Sequence, residues 1–168
     1  NILREQYYLQ LYLRMYESFF ESAKKGLEMK SNLVVNWVTY VFASYLIENY
    51  EFSDKILEST IRISLDSIKP NELLELRQFK VRLLLKLNKP NEAILYMKDN
   101  EKDFSIDKAR LNEEYFKIKS FIINDEKSNL EAIENVDNLI LINNENMEYL
   151  LWRIRLMFIL NKDIPKDI

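Results

Sequence analysis

The side chains in this sequence that could carry out chemistry are few and of narrow type. Its 168 residues contain no His, no Cys and a single glycine, Gly26. The lack of His removes the commonest general base and metal ligand. The lack of Cys removes thiol nucleophiles, disulfides and thiolate metal sites. One glycine cannot build a phosphate-cradling loop or a dinucleotide or acetyl-CoA cradle, which need several close backbone approaches. Two carboxylate pairs remain, Glu113-Glu114 and Asp125-Glu126. Such pairs can work as acid and base, and they equally suit a solvated helix face or a helix end. No cluster of acids has the spacing of a carboxylate metal site. The expectation is a chain that is not an enzyme, with no catalytic residue, cofactor, metal or small-molecule substrate.

Two residue sets point to binding instead. Lys24, Lys25 and Lys30 lie close in sequence to Tyr7, Tyr8, Tyr12, Tyr16, Phe19 and Phe20. Aromatic rings interleaved with cations form stacking platforms for RNA, whereas aromatics at helical spacing usually form core. The net charge of −3 sets up no overall field for nucleic acid or anionic lipid, so any RNA contact would have to be local. The second set is Glu75, Gln78, Arg82 and Lys86, which follow one another at steps of 3, 4 and 4 residues and so share one helix face. Lys117 and Arg155 would continue that stripe on later helices. A partner protein could dock there through charge-assisted contacts; the bland alternative is an ordinary solvated face.

The elements that must position these residues are helical. Hydrophobic residues make up 48% and charged residues 30%, a globular composition. One Gly and three Pro are too few for the tight turns of a sheet protein. Apolar periodicity predicts nine helices, over 2–15, 17–30, 33–48, 52–67, 71–87, 91–100, 106–122, 127–142 and 147–161. Lys69-Pro70 and Lys89-Pro90 break one helix and open the next. Asn71 and Asn91 could then cap, in competition with proline at the first helical position. Ser105 is a plausible N-cap, and 163–168, with Pro165, reads as a loop or frayed end. Apolar runs such as 138–142 fall far short of the ~20 residues a membrane span needs, and the first residues show no signal peptide. The chain does not begin with Met, and both ends are strongly apolar, so it reads as an internal piece of a longer protein.

The predicted helices pair. The stretch from Asn36 to Thr60 joins a helix anchored by Trp37 to a second through a tight corner, free of glycine, at Glu48 to Glu51. Small residues recur early in the even-numbered helices at Ser22, Ser53, Ala93 and Ala132, with gaps of 53−22 = 31, 93−53 = 40 and 132−93 = 39. A small residue is needed where two helices of a pair cross closely. Tetratricopeptide repeats have a period of about 34 residues. The expected fold is therefore all-α: a right-handed solenoid of antiparallel helix pairs, degenerate tetratricopeptide repeats forming one domain over 1–168. A plain helical bundle without a repeat is the alternative. Trp37 and Trp152 are expected as wedges between helices.

Residues 37–40, 43–51 and 55–58 together resemble the N-terminal part of the auxiliary, large subunit of the NatA N-terminal acetyltransferase. That family shows a similar Trp-x-x-Tyr helix, a Leu-acidic-x-Tyr-Glu corner and a Lys-Ile-Leu-Glu helix. Leu9-Gln10, Arg14, the segment 16–29 and Asn91-Glu92-Ala93 extend the likeness, which becomes architectural beyond Leu95. Ser22 and Ser53 depart from the family's Ala-like sites, and Asn143-Asn144 stands where a proline would precede the ninth helix. The resemblance implies a cytoplasmic tetratricopeptide superhelix that wraps a small catalytic acetyltransferase subunit and helps place it at the ribosome. The acetyl-CoA chemistry would belong to that partner. A generic protein-binding helical repeat is a competing reading. So is a prenyltransferase α-like subunit, which 149–155 faintly resembles.

Overall fold

The computed structural model describes residues 2–65 and 67–160. Its elements are α1 (Ile2–Tyr12), α2 (Tyr16–Met29), α3 (Val34–Leu46), α4 (Tyr50–Ser64), α5 (Pro70–Lys86) and α6 (Pro90–Asp99). There follow a single turn α7 (Glu101–Phe104), a 3-10 turn (Ser105–Asp107), α8 (Lys108–Phe116) running into a π-helical turn (Lys117–Ile123), α9 (Glu126–Ile142) and α10 (Met147–Ile159). Among the described residues there is no strand, and nine helices are longer than a single turn. The expected end of the last helix at 161 and the loop at 163–168 lie outside the described residues.

The chain forms two compact units, one through Lys89 and one from Pro90 onward. In the first, α1 packs on α2, α2 on α3, α3 on α4 and α4 on α5. Its core holds Phe19, Val41, Ala43, Leu57 and Leu83. A relay of rings ties α2 to α4 through α3: Phe20 stacks on Tyr40 at 5.1 Å, and Tyr40 meets Phe52 edge-on at 5.7 Å. In the second unit α8 packs on α9 and α9 on α10, around Phe116, Ala132, Val136, Leu139, Trp152 and Leu156.

The turns carry the repeat. Four residues other than glycine sit in the left-handed region: Arg14 (φ 56°), Glu48 (φ 61°), Asn88 (φ 59°) and Asn124 (φ 52°). Their gaps are 48−14 = 34, 88−48 = 40 and 124−88 = 36, close to the ~34 residues of a tetratricopeptide unit. Each of the first three closes its helix with the same paired bonds. Asn49 N–H donates to Ser44 O (3.0 Å) and Glu48 N–H to Tyr45 O (3.0 Å). Met15 to Gln10 (2.8 Å) with Arg14 to Leu11 (3.1 Å), and Lys89 to Leu84 (2.9 Å) with Asn88 to Leu85 (3.1 Å), repeat the pattern. This is the Schellman arrangement, which normally favours glycine at the left-handed position.

Ser22, Ser53, Ala93 and Ala132 are all buried, and within the two units Ser22, Ser53 and Ala132 lie on helices packed against their expected partners. Ser53 Oγ donates across to Val41 O at 2.9 Å. Ser22 Oγ accepts from Gln6 Nε2 (3.1 Å) and Gln10 Nε2 (3.0 Å) on α1. Gly26 serves the same pair. A Cβ there would run into the Tyr7 hydroxyl, which donates to Ser22 O at 3.2 Å.

Three local expectations need correcting. Pro70 and Pro90 occupy first helical positions, so Asn71 and Asn91 lie inside the first turn and do not cap. Lys69 precedes α5, its N–H donating to Glu72 Oε2 at 3.3 Å. Ser105 is not the N-cap of the next helix: Asp107 caps α8, accepting from Arg110 N–H at 3.0 Å. The helix expected over 106–122 is compound: a 3-10 turn leads into α8, and the π-helical turn Lys117–Ile123 follows it, ending where Asn124 N–H donates to Lys119 O (2.9 Å).

Candidate partner-binding groove

Alternate helices of the first unit, α1, α3 and α5, share an open face. Between α1 and α3 lies a recess of about 600 Å³, walled by Leu3, Tyr7 and Leu11 on one side and Val35, Val38 and Phe42 on the other. Between α3 and α5 lies a second, of about 410 Å³, reaching from Val34, Val35 and Val38 to Ile68, Glu72 and Leu76. Val35 and Val38 belong to both, so the recesses form one groove with α3 as its central ridge. The ridge stays apolar because α3 is VVNWVTYVFASYL, thirteen residues without a charge. Its inward face holds Tyr40, Val41, Ala43 and Ser44, and its outward face leaves Val35 63% and Phe42 41% exposed. A helix apolar on all sides is usually buried on all sides; this one is covered on one side only.

Charge marks the two ends of the groove. Arg4 stands at the α1 end, its guanidinium donating from Nε to the Tyr8 hydroxyl at 3.2 Å and lying 5.6 Å from that ring. Glu72 and Glu75 stand at the α5 end. The polar side-chain donors of the groove wall are already engaged. Asn36 Nδ2 is committed to Gly26 O (3.1 Å) and Lys30 O (2.9 Å), and the Thr39 hydroxyl to Val35 O (2.7 Å).

Of the residues expected to bind a partner, Glu75 lines this groove. Arg82 and Lys86 are exposed on α5, with Lys86 Nζ 5.8 Å from the Tyr50 ring. Gln78, expected on the same stripe, is turned into the protein and buried, its Oε1 without a hydrogen-bond partner. In the second unit Lys117 and Arg155 converge on one aromatic cluster. Phe116 stacks on Trp152 at 4.4 Å, Lys117 Nζ lies 5.6 Å from the Trp152 ring, and the Arg155 guanidinium lies 4.8 Å from Phe121. Arg155 also donates to Ser120 Oγ and O. Lys24, Lys25 and Lys30 are all exposed.

The carboxylate pairs have structural work. Glu113 bridges Lys117 (3.2 Å) and the Tyr149 hydroxyl (2.5 Å). That hydrogen bond, with burial, pushes the Tyr149 pKa up to about 12. Asp125 caps α9, accepting from Ser128 N–H at 2.7 Å, and that bond holds its carboxyl below the usual aspartate range. Trp152 is buried as a wedge, while Trp37 is half-buried and donates from Nε1 to Ser31 O at 2.7 Å. The ring cluster of the first helix pair is divided. Phe19 is core, Tyr7, Tyr16 and Phe20 are half-buried, and Tyr8 and Tyr12 face solvent. The sequence pointed to charged residues on α5 and later helices and missed the apolar ridge of α3. Its signal was present as an uncharged helix whose apolar residues fill both faces.

Serial helix pairs, recurring left-handed turns and small residues at the crossings define an all-helical repeat of the tetratricopeptide type. The solved structure described as "Structure of Naa15/Naa10 bound to HypK-THB" contains a chain with this fold. It matches with a TM-score of 0.77 and 23% identity, over 99% of this chain and 24% of the matched chain. The present chain thus spans about a quarter of that chain's length. At this identity the likeness is one of fold, and it is the fold implied by the resemblance at 37–58. No protein-family model and no curated protein matches the sequence. Among the described residues no helix is long and apolar enough to cross a membrane.

Proposed function

We propose that this chain is a segment of the auxiliary subunit of a NatA-type N-terminal acetyltransferase, a non-catalytic scaffold that holds and positions the catalytic subunit. The observation that carries this reading is the fold likeness over 99% of the chain to a structure whose description pairs Naa15 with Naa10. The residue resemblance at 37–58 supports it independently. On this reading residues 1–168 act as one repeat domain of a longer cytoplasmic chain, and the acetyl-CoA site lies in the partner. Lys24, Lys25 and Lys30, exposed on and just after α2, are the candidates for a contact with ribosomal RNA.

The test is co-expression of the complete parent chain with a NatA catalytic subunit, followed by size-exclusion chromatography. Co-elution with acetyltransferase activity is expected. Separate elution of two folded proteins would overturn the reading. For the lysines, ribosome sedimentation at rising salt should show release, and Lys24→Glu with Lys25→Glu should weaken binding at every salt concentration. Unchanged sedimentation of that variant would remove the RNA contact while leaving the scaffold.

A further inference from the structure

We propose that the groove of the first unit is a docking site for an amphipathic α-helix of a partner protein, laid across α3 with its basic N-terminal flank at Glu72 and Glu75 and its acidic C-terminal flank at Arg4. The apolar ridge supplies the driving force, since Val35 and Phe42 would leave water on binding. The choice between a helix and an extended strand follows from hydrogen bonding. An extended peptide would bring unpaired N–H and C=O groups against valine and leucine side chains, while the nearby polar groups of Asn36 and Thr39 already donate to backbone carbonyls. Desolvating backbone groups without partners is costly. A helix satisfies its own backbone and offers only side chains to the groove.

The ends of the groove set the direction. Carboxylates at the α5 end favour the positive end of a helix dipole and Lys or Arg in the first turn; the Arg4 guanidinium favours the opposite end. The site is built from the first unit alone, so it stands whether or not the chain serves an acetyltransferase.

The experiment pans a displayed library of random peptides, about 16 residues or more than four helical turns long, on the 168-residue chain. The synthesised winners are then measured by fluorescence anisotropy. Winners are expected to carry apolar residues at helical i, i+3, i+4, i+7 spacing with Lys or Arg in the first turn. Val35→Glu, at an exposed position checked by circular dichroism, should weaken them about tenfold or more, the loss expected when a charge enters an apolar contact. Glu75→Lys should weaken them severalfold, and peptides with the flanking charges exchanged should recover binding to that variant. No enrichment, proline-rich extended winners, or equal binding to Val35→Glu would overturn the proposal. So would self-association of the chain that Val35→Glu abolishes in sedimentation, because the groove would then belong to a second copy.

Discussion

The hydroxyl of Ser53 on α4 donates to the carbonyl oxygen of Val41 on α3 at 2.9 Å, and Ser53 is completely buried. The two backbones approach so closely there that a serine fills the whole gap. Ser53→Leu should cost about 1–3 kcal/mol by overpacking. Ser53→Ala should stay within about 1 kcal/mol, since it removes one hydrogen bond and no volume the crossing needs. Urea denaturation of both variants checks the order. Equal effects would mean that the hydrogen bond, and not the spacing, sets the crossing.

Gly26 and Tyr7 form a second lock, between α2 and α1. Gly→Ala inside a helix normally gains about 1 kcal/mol. Here the added methyl would displace the Tyr7 hydroxyl from its bond to Ser22 O. Gly26→Ala should therefore destabilise the protein. In a Tyr7→Phe background, where no hydroxyl is in the way, the same change should cost at least about 1 kcal/mol less, a coupling expected of residues in contact. Thermal unfolding of the four proteins of that cycle gives the answer.

Lys80 on α5 reaches two carboxylates on α4, Asp54 at 2.6 Å and Glu58 at 2.7 Å. The side chains of Lys80, Asp54 and Glu58 are 6%, 19% and 65% exposed. Asp54→Asn should cost about 2 kcal/mol, because a largely buried cation loses its less solvated partner. Glu58→Gln should cost under about 1 kcal/mol, as for a surface pair. Burial lowers the Lys80 pKa, but the hydrogen bonds and charges of Asp54 and Glu58 outweigh it, and the net shift is upward from 10.5. The linked stability is fully present below pH 10.5 and is lost as pH rises through the higher folded-state value. Melting curves of wild type and Lys80→Met should therefore converge in strong alkali and stay parallel at neutral pH.

The helices and the pairing of α1 with α2, α3 with α4 and α8 with α9 were legible because apolar periodicity and the small residues at 22, 53 and 132 report one physical demand, close crossing. The break at the third pair was not. Asn100 to Asp107 carries only weak turn signals, and the extra turn Glu101–Phe104 is held by Phe104, which is buried and meets Tyr96 edge-on at 6.4 Å. The π-helical turn at Lys117–Ile123 was equally hidden, because KIKSFII has the periodicity of an ordinary helix. The exposed stripe on α5 was legible except at Gln78, whose burial depends on packing and not on its polarity. Trp37 carried the resemblance yet is only half-buried. The 3–5 kcal/mol expected for truncating a fully buried Trp is thus an upper limit at that position.

Glu48 offers the sharpest test of the repeat's turn chemistry. It ends α3 with φ 61°, in a Schellman turn bonded through Ser44 O and Tyr45 O. A residue with a Cβ pays roughly 1–2 kcal/mol to sit there. Glycine avoids that cost but gives part of it back through a more flexible unfolded chain. Glu48→Gly should raise stability by about 0.5–1 kcal/mol. Asn88→Gly, at φ 59° in the matching turn, should gain less, because asparagine tolerates the left-handed region better than glutamate. Glu48→Val should lose stability, since β-branching makes that conformation worst. A gain at Glu48 larger than at Asn88 would show that the two corners, 40 residues apart by 88−48, are one structural device with different residues in it. A loss on Glu48→Gly would mean that the glutamate side chain holds the corner, and the equivalence of the turns would fail.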